Sequence, residues 1–425
     1  MRDVMALVLA GGRMSDYGVL TQNRAKGALT FAGSYRVIDF ALSNLVNADI
    51  NQIGIIIQYL PASLIEHVGV GQPWDLNGYG RMLKIMPPFV GMEKTIWYKG
   101  TADAIYQNLN FVDDSKSQDV IILSGEHVYH LDYRAVLESH RTRNADVTIV
   151  SKELPEARLN ARFGYIVPDE SGRVRSYHEK PLTPPSGIVS TGIYVFKSDI
   201  LTKELQFNSR ESDHNLAKDI LERRAGQLNC YEFRTQDHWE YLETVEDYFD
   251  AQFRLMGDGY FEPLRRWNIM TNLDFRGAGF APPPYIGGQA VVENSMVSPG
   301  CRIEGQVINS ILSPGVHVHA GAVVRDSILM HDCIVQGGAL LVRVISDRDA
   351  VFGADCVIGD NTAETKSSVD PQFRPPLTLI GKGVQIAGGV RIPSGAEIRP
   401  GRVVANQEAA NTEIAAPAVE MARAT

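Results

Sequence analysis

The stretch NSMVSPGCRIEGQVINSILSPGVHV, Asn294 to Val318, repeats itself: NSMVSPG at 294–300 returns as NSILSPG at 309–315. Aliphatic residues fall at every sixth position around it: Val297 and Ile303; Leu312, Val318 and Val324; Leu329, Val335 and Leu341. Small residues, Gly and Pro fill the turns between them. One inward aliphatic per flat side on a period of six predicts a left-handed parallel β-helix, with a β-sandwich of short strands as the competing arrangement. The repeat is hard to phase from Arg343 to Asp360 and resumes in GKGVQIAGGVRIPSGAEIRPG, 381–401. The β-helix is placed at 285–403. Residues 404–425, rich in Ala, Glu and Asn, are expected to form a disordered, fraying tail.

Upstream the texture changes. The Pro- and Gly-bearing segment at 261–284 reads as a linker. Residues 1–260 alternate β-branched runs (VMALVLA, QIGIII, DVIILSG, DVTIVS) with helical stretches at Ala41–Val46, Ala62–Val68, Ala102–Val112 and Tyr133–Arg143. That alternation predicts an α/β, Rossmann-like domain around a mostly parallel sheet, with ligands beyond the carboxyl ends of the strands. LAGGR and LSGEH sit at such ends. In LAGGR the amides of Gly11 and Gly12 are suited to cradle a phosphate.

The net charge of −9 argues against nucleic acid or an anionic membrane as the main partner. Four cysteines without C-x-x-C spacing suggest neither a zinc site nor a disulfide framework. No leader precedes the first core strand and no run of eighteen apolar residues occurs, so the expectation is a cytoplasmic protein without a membrane span.

The order of motifs NRAKGALTFAGSYRVIDFALSNLVNADI, WYKGTADAIYQNL, LSGEHVYHLDY, FGYIVPDESGRVRSYHEKP and STGIYVF resembles the bacterial ADP-glucose pyrophosphorylase (glucose-1-phosphate adenylyltransferase) family. The match runs through nearly the whole chain. The resemblance implies synthesis of ADP-glucose and pyrophosphate from ATP and glucose 1-phosphate, for glycogen, with Mg²⁺. It also implies a homotetramer or hetero-oligomer under allosteric control. The protein's work in such a transfer is to align two polyanions and neutralise their charge.

By this resemblance Lys180 holds the sugar phosphate, Glu179 accepts from sugar hydroxyls, and Gly164, Ser190 and Gly192 line the same pocket. Gly11, Gly12, Gln58, Tyr98, Gly100 and Thr101 correspond to the nucleotide wall, and Arg24 and Lys26 to a basic pair near the triphosphate and the regulatory surface. Other positions depart from the pattern. Met14 and Asp16 stand where a glycine and the arginine that stabilises pyrophosphate are implied, leaving Arg13 as a substitute cation. Glu126 replaces one metal aspartate, and Tyr241 stands at the other, with Glu240 and Glu243 as neighbouring candidates. Gly27 replaces a proline, Asn215 an aspartate, and Asn23 the effector-binding lysine. The departures converge on ATP and Mg²⁺ while the sugar motifs stay intact. The reading is a family member that keeps its sugar site and is a weak or silent catalyst modulating an active relative. A fully active enzyme with substituted ligands is the alternative. A hexapeptide acyltransferase using His317, His319 or His331, or a scaffold, is more remote.

Overall fold

The computed structural model describes residues 3–12, 17–88, 97–209, 214–257, 259, 262–274, 279–359 and 374–415, the last four as backbone only. The strands of the first half are β1 (Val4–Leu9), β2 (Thr30–Phe31), β3 (Tyr35–Arg36), β4 (Gln52–Ile56), β5 (Met82–Met86), β6 (Asp119–Ser124), β7 (His127–Tyr129), β8 (Val147–Glu153), β9 (Gly164–Pro168), β10 (Val174–Glu179), β11 (Ile188–Lys197), β12 (Cys230–Arg234) and β13 (Trp239–Tyr241). Nine of them form one sheet in the order β10-β9-β11-β6-β1-β4-β5, with β8 and β12 continuing from β11. The centre is parallel: β1 pairs β4 and β6, and β4 pairs β5. The sheet as a whole is mixed, because β11 runs antiparallel to β6, β8 and β9.

The β1 side chains explain its place. Val4, Ala6 and Val8 enter one apolar cluster, and Met5 and Leu7 enter another on the opposite face. A strand with no polar face must be covered on both sides, and helices do so here. The helices fall at Val37–Asn47, Ala62–Val68 and Tyr133–Thr142. The stretch read as one helix from Ala102 is two, Thr101–Tyr106 and Leu109–Ser115.

The second half is a left-handed parallel β-helix of three stacked sheets. Its interior consists of columns read directly from the sixfold spacing. Ile303, Val318, Val335 and Phe352 stack in one column, and Val307, Val324, Leu341 and Ile358 in the next. The third runs Val297, Leu312, Leu329, Ser346, Ile380 and Ile398. The NS of the repeat has its own explanation. Asn294, Asn309 and Asp326 occupy successive corners at positive φ (41°, 45° and 48°), a region that Asn and Asp enter most readily after Gly. Their side chains bond up the stack, Asn294 Nδ2 to Asn309 Oδ1 at 2.9 Å and Asn309 Nδ2 to Asp326 Oδ1 at 2.6 Å. Behind them Ser295, Ser310 and Ser327 each accept the amide of the next coil through Oγ.

The phase was hidden beyond residue 343 for two physical reasons. The next corner is Arg343 (φ 53°), which fills the Asn position and donates to Pro375 O at 2.7 Å. Second, residues 360–373, which lie outside the described residues, interrupt the repeat between Ile358 and the strand Thr378–Ile380. The expected fraying tail is corrected in part. Gln407–Ala415 is a helix, and Ala410 is buried. The Gln407 amide exchanges two hydrogen bonds with the Arg391 backbone (2.8 and 2.9 Å), supplying the pairing that a further coil would have supplied.

The halves are packed together. Leu20, Phe31, Val37 and Phe40 share one cluster with Ile311, Ile328 and Ile345. Arg24 reaches across to Asp347 with both carboxylate oxygens, at 2.6 and 2.7 Å, and both residues are buried. The connecting segment joins the same core: Glu262–Arg266 is helical, and Leu264 and Ile269 are buried.

Candidate active site at the carboxyl ends of the central strands

Past Leu9 the chain is held at the sheet edge by the Ala10 amide bonded to Ile56 O (2.9 Å). A Cβ on Gly11 would come within 2.8 Å of the Gln58 amide nitrogen, so only glycine fits this approach. Gly12 lies opposite the Glu126 carboxylate, which accepts from its N–H. Gly11, Gly12, Gln58, Tyr98, Gly100, Thr101 and Glu126 all line one cleft of about 430 Å³. Gln58 Oε1 accepts the Tyr98 amide (2.8 Å), and the Tyr98 hydroxyl meets Asn108 (3.0 Å). Thr101 Oγ1 accepts the Leu216 amide (2.9 Å). Arg13, Met14 and Asp16 lie outside the described residues.

Lys26 is buried, close to Glu126 and His127, with its ammonium 5.2 Å from the centre of the Tyr17 ring. Burial pushes the Glu126 carboxyl above its ordinary value, and Lys26 and the Gly12 amide oppose that shift. Arg24 parts from Lys26: its guanidinium goes to Asp347, toward the β-helix. Between the halves lies a small cavity of about 40 Å³ crowded with cations, among them Arg24, Arg36, Arg348 and Lys382, with Asn23 in its wall. Burial, and next the charge of Arg24, lower Arg36 to about 10.

The residues that the resemblance assigns to the sugar gather where β9, β10 and β11 meet. Gly164 pairs Glu179 across β9 and β10. A Cβ at Gly164 would collide with the Tyr177 hydroxyl at 2.1 Å and stand 3.0 Å from Glu179 Oε2. The Tyr177 hydroxyl donates to that oxygen (2.9 Å), and burial raises the Glu179 carboxyl. Lys180 follows in the left-handed region (φ 49°), half exposed, with Nζ 3.7 Å from Glu243. Ser190 and Gly192 sit in the register shift of β11, with the Gly192 amide on Ser190 Oγ at 3.2 Å.

The short ribbon β7–β13 joins the two sides. It pairs Tyr241 with His127 and Glu240 with Val128. The Tyr241 ring lies 5.1 Å from the His127 ring. Burial first, then Glu243 and Glu179, with Glu126 as a smaller cause, raise the Tyr241 phenol, so it is neutral. Strand alternation turns Glu240 away, where Arg254 grips both its oxygens at 2.9 Å. That removes it as a metal candidate. Glu243 points to Lys180 and Arg162 instead. Among the described residues no three His, Cys, Asp or Glu side chains gather around Glu126 at metal-binding distance.

His127 was missed in the sequence. Its position against Lys26 and a hydrogen bond to the Thr191 backbone follow from the ribbon, and burial, then Lys26, lowers it to about 3. The LSGEH segment was the available signal. Asn215, noted as a departure, caps the helical turns that follow it, accepting from Ala217 and Lys218 N–H, which an aspartate would do equally well. Among the described residues no helix is long and apolar enough to cross a membrane.

Residues 5–256 match the family model described as nucleotidyl transferase, and 286–371 match that of the GlmU-like, C-terminal hexapeptide. Glucose-1-phosphate adenylyltransferase of Desulfitobacterium hafniense is 35% identical over 404 residues, 94% of this chain and 98% of its own. The protein of that name from Acetivibrio thermocellus is 33% identical over 406 residues, 94% of this chain and 93% of its own. The one from Thermotoga maritima is 38% identical over 333 residues, 76% and 77% of the two chains. With the glycine-rich cleft and the hexapeptide solenoid in one chain, it belongs to the glucose-1-phosphate adenylyltransferase family of nucleotidyltransferases.

Proposed function

We propose that this chain binds glucose 1-phosphate beside an adenine nucleotide in the cleft, turns the pair over weakly or not at all, and serves in the cytoplasm as the modulating partner of an active relative. One observation carries the reading. The ribbon β7–β13 sets a partly buried, neutral phenol, Tyr241, next to Glu126–His127, where the family resemblance implies a second carboxylate. Mg²⁺ asks for near-ideal octahedral oxygen geometry with one or two carboxylates besides the substrate phosphates. Glu126 is a single carboxylate whose charge burial opposes. Among the described residues the donor set falls short of a two-carboxylate metal site. Lys26, buried close to Glu126, and the half-exposed Lys180 beside Glu179 supply positive charge for the two phosphate groups. The cation-crowded cavity beside Asn23 supports control by an anionic effector, by resemblance to the family.

The test is pyrophosphate release from ATP, Mg²⁺ and glucose 1-phosphate. The wild type is expected to run well below ~1 s⁻¹, the lower end of ordinary turnover. The triple variant Asp16→Arg, Glu126→Asp, Tyr241→Asp is expected to run at least tenfold faster. The single changes gain little, since groups acting as a unit are not additive. The seven cleft residues brought together around about 430 Å³ favour the second reading, a fully active enzyme with substituted ligands. A wild type turning over within ~1–10³ s⁻¹ establishes that second reading and overturns the first.

A further inference from the structure

Two histidines and a glutamate on the outside of the β-helix are used by none of the chemistry above. On the coil holding Arg302–Ile303, the inward Ile303 is fully buried and its neighbours Arg302 and Glu304 point outward. On the next coil, Val318 is the inward residue, and His317 and His319 flank it. Arg302 pairs His317 and Ile303 pairs Val318, so the register sets Glu304 beside His319. One ligand atom from each of Glu304, His317 and His319 lies within 4.8 Å of the others.

We propose that Glu304, His317 and His319 form a binding site for a divalent transition-metal ion of the zinc class, stapling two successive coils of the β-helix.

Solvated surface histidines are common on a solenoid, and four details set these apart. His317 Nε2 is buried yet has no hydrogen-bond partner. It stands 3.6 Å from Glu304 Oε2, too far for a hydrogen bond. Two donors on one tetrahedral ion, each at ~2.0–2.2 Å, lie roughly 3.4 Å apart, so the gap suits an ion between them. The imidazole rings stack at 3.8 Å with 24° between their planes. Finally, Arg302 donates to Glu304 Oε1 at 2.6 and 2.9 Å. That contact occupies one oxygen and leaves Oε2 toward His317, the kind of outer support that orients a metal ligand.

The donor chemistry selects the ion. Two imidazoles and one carboxylate suit zinc, nickel, copper or cobalt, whereas magnesium and calcium take oxygen sets. Three protein donors leave one coordination position for water.

The experiment uses the full, untagged chain stripped with chelator. Zinc chloride is titrated by calorimetry into the wild type, His317→Ala, His319→Ala and Glu304→Gln. The expected result is one zinc per chain for the wild type and binding at least tenfold weaker in each variant. Zinc should raise the melting temperature of the wild type and leave the variants unmoved. Cobalt chloride added to the wild type alone supplies a second measurement, independent of how the variants fold: visible d–d bands of a histidine-ligated, low-coordinate ion are expected. Zinc binding unchanged in the His317 and His319 variants, or a wild type without cobalt bands, overturns the proposal.

Discussion

Lys180 illustrates how much one side chain on the sugar side is expected to do. Its ammonium is half exposed and only loosely paired with Glu243, at 3.7 Å, so an incoming phosphate can take it over. Lys180→Ala removes a charge-assisted contact of about 1.5–3 kcal/mol, roughly ten- to hundredfold in affinity. Calorimetry with glucose 1-phosphate checks this, and equal binding by the two proteins would place the sugar phosphate elsewhere. His127 carries a different consequence. Its folded value of about 3 lies below the ordinary 6.5, so between those values the unfolded chain binds the additional proton. Its contribution to stability is complete above pH ~6.5 and falls by about 1.4 kcal/mol per unit as pH drops toward 3. His127→Gln should therefore flatten the fall in melting temperature between pH 6.5 and 5, above the range where most carboxylates titrate. Parallel melting curves for the two proteins across that window would mean that His127 titrates normally. Neither the pairing of His127 with Tyr241 nor the contact with Lys26 was legible in the sequence. Tyr241 is more than a hundred residues away, and no local pattern encodes that partnership.

Among the elements, the β-helix was the most legible, because each coil repeats a local rule. An aliphatic residue points inward, an Asn or Asp turns the corner, and a Ser accepts the next amide. Where Arg343 replaces the corner Asn and the sequence spacing between Ile358 and Thr378 departs from six, the rule lapses and the phase is lost. The same stack fixes what a deletion should do. Leu329 is fully buried between Leu312 and Ser346, and Ser346 Oγ is already tied to the Asp347 carbonyl at 3.0 Å. With Leu329 enclosed in the stack, Leu329→Ala is expected to cost about 2–5 kcal/mol. Melting by circular dichroism checks it. A loss under about 1 kcal/mol would mean that the coils close up on the void. In the α/β half the legible part was the glycine-rich turn and the alternation around it. The antiparallel excursion of β9, β10 and β11 carries the sugar-side residues, and its pairing follows from long-range register that no period announces.

At the scale of the whole molecule the ion pair Arg24–Asp347 couples the halves. Both partners are buried, and Arg24 Nη2 donates to both carboxylate oxygens. Replacing Asp347 with Asn leaves a guanidinium enclosed without its counter-charge, beside Arg36 and Arg348. Breaking a buried pair in this way typically costs about 3–5 kcal/mol. Asp347→Asn should lower the melting temperature and, by loosening the contact, split one calorimetric transition into two. A single transition at the wild-type temperature would show that the apolar contacts alone hold the halves. The sequence places Arg24 near the triphosphate and the regulatory surface; its ion-pair partner, 323 positions downstream, is a contact that no local pattern announces.

The apolar seam formed by Leu20, Phe31, Val37 and Phe40 against Ile311, Ile328 and Ile345 bears on how such a chain can change over generations. A gene recombined at the connector would strand half of that seam on each fragment, bare to water. A solenoid exchanged between relatives must arrive with side chains that fit the Leu20–Phe40 segment, or bring that segment along. The segment from Leu20 to Phe40 and the facing wall of the coil must therefore change together, wherever the boundary between folds is drawn.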